Sequence, residues 1–243
     1  MKAKLLKKII PDRILEFLWS KINSIYYSGE QSICGMCGWQ GYFVNNYCPS
    51  CKSLPRNRLL HYCLINFKKN KKILHVGPSK NEVMFVKINL KPKVYHTVDY
   101  IRNKLINTVQ DITKDGLQKN YYDLVIIWHV LEHIKEDFIA ISNLYSSLNK
   151  NGILIASVPI FPEGNLQTVE DVNASKNDYD KLYGHSDHCR ACGYDYKERF
   201  VKAGFKEVVD VDANKISDEE KNKFGLANHI AWISKKSLEN EYF

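Results

Sequence analysis

The sequence predicts an α/β fold, a mostly parallel sheet with helices on both faces, behind a small cysteine-bearing domain. Three observations predict it. Residues 124–127 form an unbroken apolar run, Leu124-Val125-Ile126-Ile127, of the length and β-branching that suits a strand buried on both faces of a parallel sheet. Strand-like runs alternate with helical patterns along most of the chain, which demands parallel pairing with helical crossovers. Upstream of them stand two Cys-x2-Cys pairs in a chain of 243 residues, long enough for one full core and a small appendage.

Taken in order, residues 2–27 read as one or two helices. Leu5, Leu6, Ile9 and Ile10 are interleaved with Lys2, Lys4, Lys7 and Lys8, and after Pro11 the set Ile14, Leu15, Leu18, Ile22 and Ile25 recurs at helical spacing. Such a basic amphipathic helix either rests on a membrane surface or packs on the rest of the protein. Cys34-Gly-Met-Cys37 and Cys48-Pro-Ser-Cys51 follow, two knuckles at a separation that holds zinc as a tetrahedral thiolate site, with a hairpin over 39–44. A mini-domain of this size needs such a staple, so structural zinc is the default and nucleic-acid reading the sharper alternative. A helix then opens near Leu54 and reaches about residue 67. Its Arg56 and Arg58 could face a substrate anion or solvent. The polar run 69–72 marks the boundary between a first domain, 1–67, and a second, 68–243.

In the second domain, 72–76 is a strand followed by Gly77-Pro78-Ser79, the strand–glycine turn–helix start of a nucleotide-binding unit, with one glycine of the usual three. The next strand, 94–98, is closed by Asp99 about twenty residues after Gly77, where an acid commonly takes ribose hydroxyls. A short strand ends near Val109 with Asp111 beyond it, and 122–127 is the fourth. A helix over 135–148 leads through Asn151-Gly152 to a fifth strand, 153–158. Residues 161–183 read as a lid or substrate loop, 194–203 as a helix capped by Gly204, and 205–211 and 227–234 as a closing hairpin, seven strands in all.

Composition narrows the class. The charge of +8 is spread along the chain, so it permits an anionic partner without requiring one. The opening residues break their apolar stretches with Lys7, Lys8, Pro11, Asp12 and Arg13, and no segment approaches the ~20 apolar residues of a membrane span. A reducing cytoplasm is therefore the expected setting, where clustered cysteines mean metal more often than disulfide.

Ligands of open α/β sheets gather at the carboxyl ends of the strands. Trp128, His129, Glu132 and His133 follow the buried fourth strand directly, so the active site is expected there. The segments CPSCKSLPRNRLL, ILHVGPS and HVLEHI, with Asp99, Asp111, VPI, Glu170-Asp171 and GHSDHCRACGYDYKERFVKAGF, resemble the class I S-adenosylmethionine-dependent methyltransferases. They are most similar to a type 11-like bacterial subgroup with a four-cysteine zinc ribbon ahead of the catalytic domain, and the resemblance covers about residues 46–210. It implies a Rossmann-like seven-stranded sheet, S-adenosylmethionine as cofactor, and methyl transfer to a small or modified acceptor. By the same resemblance Gly77 lets the backbone approach the cofactor's methionine portion. Asp99 accepts the ribose hydroxyls, Asp111 meets the adenine amino group, and Trp128 and His129 flank the sulfonium. His75 stands where most class I enzymes carry an acid, and Ser79 and Asn81 where they carry further glycines; the subgroup also has the histidine.

Methyl transfer needs alignment of a nucleophile more than covalent help, but a hydroxyl or protonated amine acceptor also needs a base. His129 is best placed by topology and His188 next, with Asp187 able to orient its imidazole. His133 reads as packing or capping, and each of the three could be a hydrogen-bonded structural histidine. His185, His188, Cys189 and Cys192 hint at a second zinc site, against which adjacent ligands such as His188 and Cys189 rarely reach one ion. Cys63 reads as a buried apolar residue. The leading expectation is a methyltransferase acting on a small-molecule or cell-surface precursor (glycan- or lipid-linked), on oxygen. The rivals are an RNA methyltransferase gripping its substrate through the ribbon, and a non-catalytic module that kept the cofactor fold.

Overall fold

The computed structural model describes residues 12–171 and 173–239; Leu5, Leu6, Ile9 and Ile10 of the expected N-terminal helix lie outside them. The first elements in chain order are α1 (Asp12–Tyr26), β1 (Ser28–Ile33), β2 (Gln40–Gly41), α2 (Pro55–Leu64), β3 (Lys72–Val76), α3 (Lys80–Phe85), β4 (Val94–Asp99) and β5 (Thr108–Val109). They are followed by β6 (Tyr122–Trp128), α4 (Asp137–Ser147), β7 (Leu148–Ser157), α5 (Tyr179–Tyr183), α6 (Glu198–Lys202), β8 (Glu207–Asp212), α7 (Asp218–Phe224) and β9 (Ile230–Lys235). Two compact units result. One takes the chain up to Tyr62 together with Ile216–Ala227; the other takes Cys63–Lys215 and the chain from Asn228 onward.

The larger unit holds a seven-stranded sheet in the order β5-β4-β3-β6-β7-β9-β8. β3, β4, β5, β6 and β7 run parallel, while β9 joins β7 and β8 antiparallel as the closing hairpin. β6 lies at the centre because its run Leu124–Ile127 is apolar on both faces, and all four side chains are fully buried. Asp123 pins its start: Oδ2 accepts from the Lys72 amide (2.7 Å) and Oδ1 from Asn149 Nδ2 (2.5 Å), which ties β3, β6 and β7 in register. Ala140, Ile141 and Leu144 of α4 cover one face, in one core with Val125, Ile127, Tyr196, Phe200 and Trp232. Asn151-Gly152 was expected to turn into a strand; instead β7 starts at Leu148 and the pairing shifts between Tyr122↔Leu148 and Leu124↔Ile153. Cys63 is buried, and burial pushes its thiol up to about 12.

The smaller unit has little apolar core of its own, so its hydrogen bonds matter more. β1, over residues to which the sequence analysis assigns no element, pairs antiparallel with β2. Each cysteine pair closes on a backbone turn: Gly38 N donates to Cys34 O (2.7 Å) and Lys52 N to Cys48 O (2.8 Å). Arg58 faces neither a substrate nor solvent. It is 1% exposed, lies 4.0 Å over the Phe43 ring, and donates to Ser53 O, Asn46 O, Phe224 O and Gly225 O at 2.6–3.1 Å. Gly225 is required beside it: φ is +60°, and a Cβ would stand 2.2 Å from Phe43 and 2.9 Å from Arg58 Nε. Arg56 is exposed.

α1 is turned inside out. Ser20 Oγ donates to Pro49 O and Ser50 O (2.9 and 2.8 Å), and Trp39 Nε1 donates to Ser24 O, so its polar side meets the ribbon. Ile14, Leu18, Trp19, Ile22 and Ile25 are exposed. Among the described residues no helix is long and apolar enough to cross a membrane.

Arg58→Ala should remove at least about 3 kcal/mol of stability, because several buried carbonyls lose a charged donor at once. Thermal unfolding of the variant, with proteolysis mapped to residues 216–227, measures it; an unshifted melt would show that the guanidinium holds nothing together.

Candidate active site

At the carboxyl ends of the parallel strands lies a cavity of about 620 Å³. The chain leaves β3 towards β4 and later returns to β6 on the other side, so the cavity sits at the switch point of the sheet. Gly77 after β3, Asp99 closing β4, Gln110, Asp111 and Thr113 after β5, and Val130, His133 and Glu136 after β6 line it; Asp187 joins from the late segment.

Each lining residue is positioned locally. Gly77 has φ +58° and donates its amide to Val98 O (2.8 Å); a Cβ there would meet Val130 Cγ2 at 2.7 Å. Asp99 is half-buried, and its Oδ1 accepts from the Ile101 amide at 3.2 Å. Asp111 Oδ1 accepts from Thr113 Oγ1 (2.6 Å) and the Thr113 amide (3.0 Å), which holds its carboxyl below the ordinary range, with Lys114 helping from 3.7 Å.

Two expected cofactor residues stand off the cavity. His75 is fully buried, its Nδ1 2.9 Å from Tyr95 Oη and its Nε2 3.7 Å from Glu82 Oε2, and burial pushes its imidazole down to about 3. Glu82 in turn accepts from the Ser79 amide (2.9 Å), and Ser79 Oγ accepts from the Glu82 amide to cap α3. His75 and Ser79, which depart from the common class I pattern, thus serve one support beneath the glycine turn. Trp128 is buried at the end of β6, and its indole Nε1 has no partner.

The histidines sort differently from expectation. His129 holds φ +53° with its amide on Ser157 O; its Nδ1 is 3.5 Å from Glu132 Oε1, its buried Nε2 has no partner, and it does not line the cavity. His188 does not line it either. Its Nδ1 bonds to the Tyr183 carbonyl (3.0 Å) rather than to Asp187, and burial lowers its imidazole, with His133 and His185 pressing the same way. Asp187 instead sits between His185, which bonds its Oδ1, and His133, whose Nδ1 is 3.3 Å from its Oδ2. Those two imidazoles outweigh desolvation and lower its carboxyl. His133, ranked behind the other two, is the histidine that reaches the cavity wall.

Sequence reasoning also missed what holds that wall. Arg190 is 1% exposed and donates to Leu131 O and Ile134 O (both 2.7 Å), Lys135 O (2.9 Å) and Glu170 (2.8 Å). Asp137 stands 3.4 Å from Arg190 and accepts from Arg199 (2.8 Å) and Tyr196 Oη (2.5 Å). The signal was present in the late segment, where Arg190 follows the histidines and Tyr196 and Arg199 follow in turn, but the carbonyls that Arg190 meets lie more than fifty residues upstream.

Residues 48–211 match the family model of a methyltransferase domain. The chain belongs to that family. A comparison by sequence with curated proteins finds no match. Among solved structures, a SAM-dependent methyltransferase from Archaeoglobus fulgidus is similar over 74% of this chain and 92% of its own, with 19% identity and a TM-score of 0.53. A phosphoethanolamine N-methyltransferase 2 of Haemonchus contortus, solved with S-adenosyl-L-methionine, is 12% identical over 74% of this chain and 52% of its own (TM-score 0.50). The CurJ carbon methyltransferase is 13% identical over 74% and 54% respectively (TM-score 0.50). These likenesses are of fold, the seven-stranded class I sheet. The methyltransferase is therefore an S-adenosylmethionine-dependent enzyme of class I, as the sequence motifs led us to expect.

The cavity's residues fit that donor. Gly77 keeps the turn free of a side chain that would collide with Val130, an acid closes the second strand, and the volume lies in the range of small-ligand sites. If Asp99 carries charge-assisted bonds to the donor's ribose, Asp99→Ala should weaken S-adenosylmethionine binding by about 1.5–3 kcal/mol, roughly 10–150-fold in Kd. Calorimetry decides it, and an unchanged Kd would remove Asp99 from the site.

Proposed function

We propose that the enzyme methylates an oxygen of a small-molecule or cell-surface precursor, glycan- or lipid-linked. The observation that supports this most is that His133 and Asp187, 3.3 Å apart, line the same cavity as Gly77, Asp99 and Asp111. Glu132 stands behind His133, its Oε1 3.9 Å from Nε2 and 3.5 Å from His129 Nδ1. S-adenosylmethionine supplies a methyl group on a sulfonium whose leaving group is a neutral thioether. A hydroxyl must shed its proton as it takes that methyl, whereas a neutral amine or thiolate need not. A cluster of imidazoles and carboxylates is the group set for doing so near neutral pH. In this reading Gly77, Asp99 and Asp111 hold the donor, and His75 and Trp128 support the strand ends from beneath. Asp187 orients the cluster, and His133, the histidine on the cavity wall, takes the acceptor's proton. The basic residues form no single tract, which argues against an RNA substrate.

A lipid-linked acceptor is favoured by α1. Its outward stripe of Ile14, Leu18, Trp19, Ile22 and Ile25, preceded in sequence by Lys2, Lys4, Lys7 and Lys8, has the composition of a helix lying on an anionic membrane surface. Incubation with methyl-labelled donor and a fractionated lysate tests the reading. Label should enter lipid-linked or small-molecule material as an O-methyl group, and His133→Ala should lower kcat by about 10²–10⁴-fold at unchanged donor Kd. Label in RNA, or on nitrogen or carbon, would overturn it.

We propose further that Cys34, Cys37, Cys48 and Cys51 hold a structural zinc ion. Their sulfurs all lie within 4.8 Å of one another, with Cys34–Cys51 at 3.7 Å and Cys37–Cys48 at 3.8 Å. Tetrahedral sulfurs on bonds of ~2.3 Å stand about 3.8 Å apart. Zinc would close the coordination and stabilise a unit with little core. Cys48→Ser should lose one zinc per chain and unfold the ribbon, read by elemental analysis and proteolysis; a variant that keeps its zinc contradicts the assignment.

A further inference from the structure

We infer a second metal site, separate from the cysteines: a divalent transition-metal ion held by Glu132, His133 and His188, with His185 and Asp187 beside it. The ligating atoms of Glu132, His133 and His188 lie within 4.8 Å of one another, and so do those of His185, Asp187 and His188; His188 is common to both sets. The ring centroids of His133, His185 and His188 are 4.8, 5.2 and 6.4 Å apart in pairs.

Three features separate this cluster from a chance meeting of polar groups. First, Glu132 is 1% exposed, and its Oε2 has no hydrogen-bond partner; the ionic neighbours of Oε1 are the imidazoles of His129 and His133. A buried carboxylate needs a positive partner, and a divalent ion shared with neutral imidazoles supplies one without crowding several imidazolium charges together. Second, the histidines are already oriented. His188 Nδ1 donates to the Tyr183 carbonyl (3.0 Å) and His133 Nδ1 to the Asp187 carbonyl (3.2 Å), which leaves each Nε2 lone pair for a ligand. Metal-binding histidines are held by their second nitrogen in this way. His133 Nε2 and Glu132 Oε1, 3.9 Å apart, are too far for a hydrogen bond. Two donors on bonds of ~2.0–2.1 Å are about 3.0–3.4 Å apart as neighbours and about 4.2 Å when opposite, so the pair lies between the two spacings and a shift of a few tenths of an ångström would seat an ion. Third, the two segments are locked before any ion arrives: Cys189 N donates to Glu132 O (2.7 Å), and Cys189 Sγ donates to His133 O (3.3 Å).

The donor set selects the ion. Imidazole nitrogens with carboxylates suit zinc, manganese, iron or nickel rather than magnesium or calcium. The sequence hint had paired His185 and His188 with Cys189 and Cys192. Cys192 is instead buried, with its thiol raised by burial, and the other donors come from the turn after β6. Because His133 and Asp187 also line the cavity, the ion would hold an acceptor's hydroxyl oxygen by coordination and lower its pKa, taking over with the metal loaded the task that His133 performs as a base without it. That use rests on the oxygen-acceptor reading; the site itself does not.

Cobalt(II) titration of the metal-stripped, tag-free full chain tests it. Two equivalents should bind at micromolar concentration, one giving the intense thiolate-to-cobalt absorption of the cysteine site and one a weak visible band without it. His188→Ala and the conservative Glu132→Gln should weaken the second equivalent by about a hundredfold, while the thiolate band stays and shows the chain folded. A single equivalent in the wild type, binding only at millimolar cobalt, or a second equivalent indifferent to both substitutions would overturn the site. The stoichiometry is read without substrate, so an acceptor other than oxygen would leave this result standing.

Discussion

The active-site wall depends on one buried cation. Arg190 stands in the late segment, yet its donors end on the carbonyls of Leu131, Ile134 and Lys135, the turn that carries the chain off the central strand. A guanidinium taken out of water costs several kcal/mol if left alone. Here Asp137 and Glu170 flank it, and their charges raise its pKa against the pull of burial. Burial pushes the Asp137 carboxyl up, but two guanidiniums and the Tyr196 hydroxyl face it, so Asp137 is the anion of the group. The arrangement fixes a loop to a loop through a planar fork, which a lysine could not match. Without it, neither His133 nor Asp187 would have a fixed place at the cavity.

Polar satisfaction is spent unevenly around that anchor. Beneath the glycine turn His75 Nδ1 meets Tyr95, Glu82 meets Ser79 and Asp111 meets Thr113, while His75 Nε2 is buried without a hydrogen bond. In the segment that leaves β6, Trp128 Nε1, His129 Nε2 and Glu132 Oε2 are buried without partners. Each such group lowers stability by about 1–3 kcal/mol. Folded proteins keep few of them, and of the three Glu132 belongs to the proposed metal site.

Much of this was legible in the sequence because it rested on local pattern. The run Leu124–Ile127 announced a doubly buried strand, the alternation of elements announced the parallel sheet, and Gly77, Asp99 and Asp111 followed strand ends that could be counted. What escaped notice was long-range. Arg58 stayed open between a substrate anion and solvent because two of its acceptors, Phe224 and Gly225, come from the connection between β8 and β9, more than 160 residues on. His133 looked like a capping residue because the Asp187 that turns it towards the cavity is fifty-four residues downstream. Helical spacing in α1 was read correctly, but periodicity says only that a stripe exists, not that Ser20 and Trp39 would turn it outward.

The division of labour also locates the choice of acceptor. Proteins that share this sheet at 12–13% identity include an N-methyltransferase and a carbon methyltransferase. In the proposed reading Gly77, Asp99 and Asp111 hold the donor, so they do not distinguish a hydroxyl from an amine. Discrimination has to come from groups that change protonation or coordinate a lone pair. In this cavity those are His133 and Asp187, backed by Glu132 and His188. All four lie on the two segments that Arg190 clamps together. Evolution of a new acceptor on this frame would therefore proceed by exchanging the turn after β6 and the 183–190 segment as a pair, because either one alone would leave the guanidinium without its carbonyls or the carbonyls without their guanidinium.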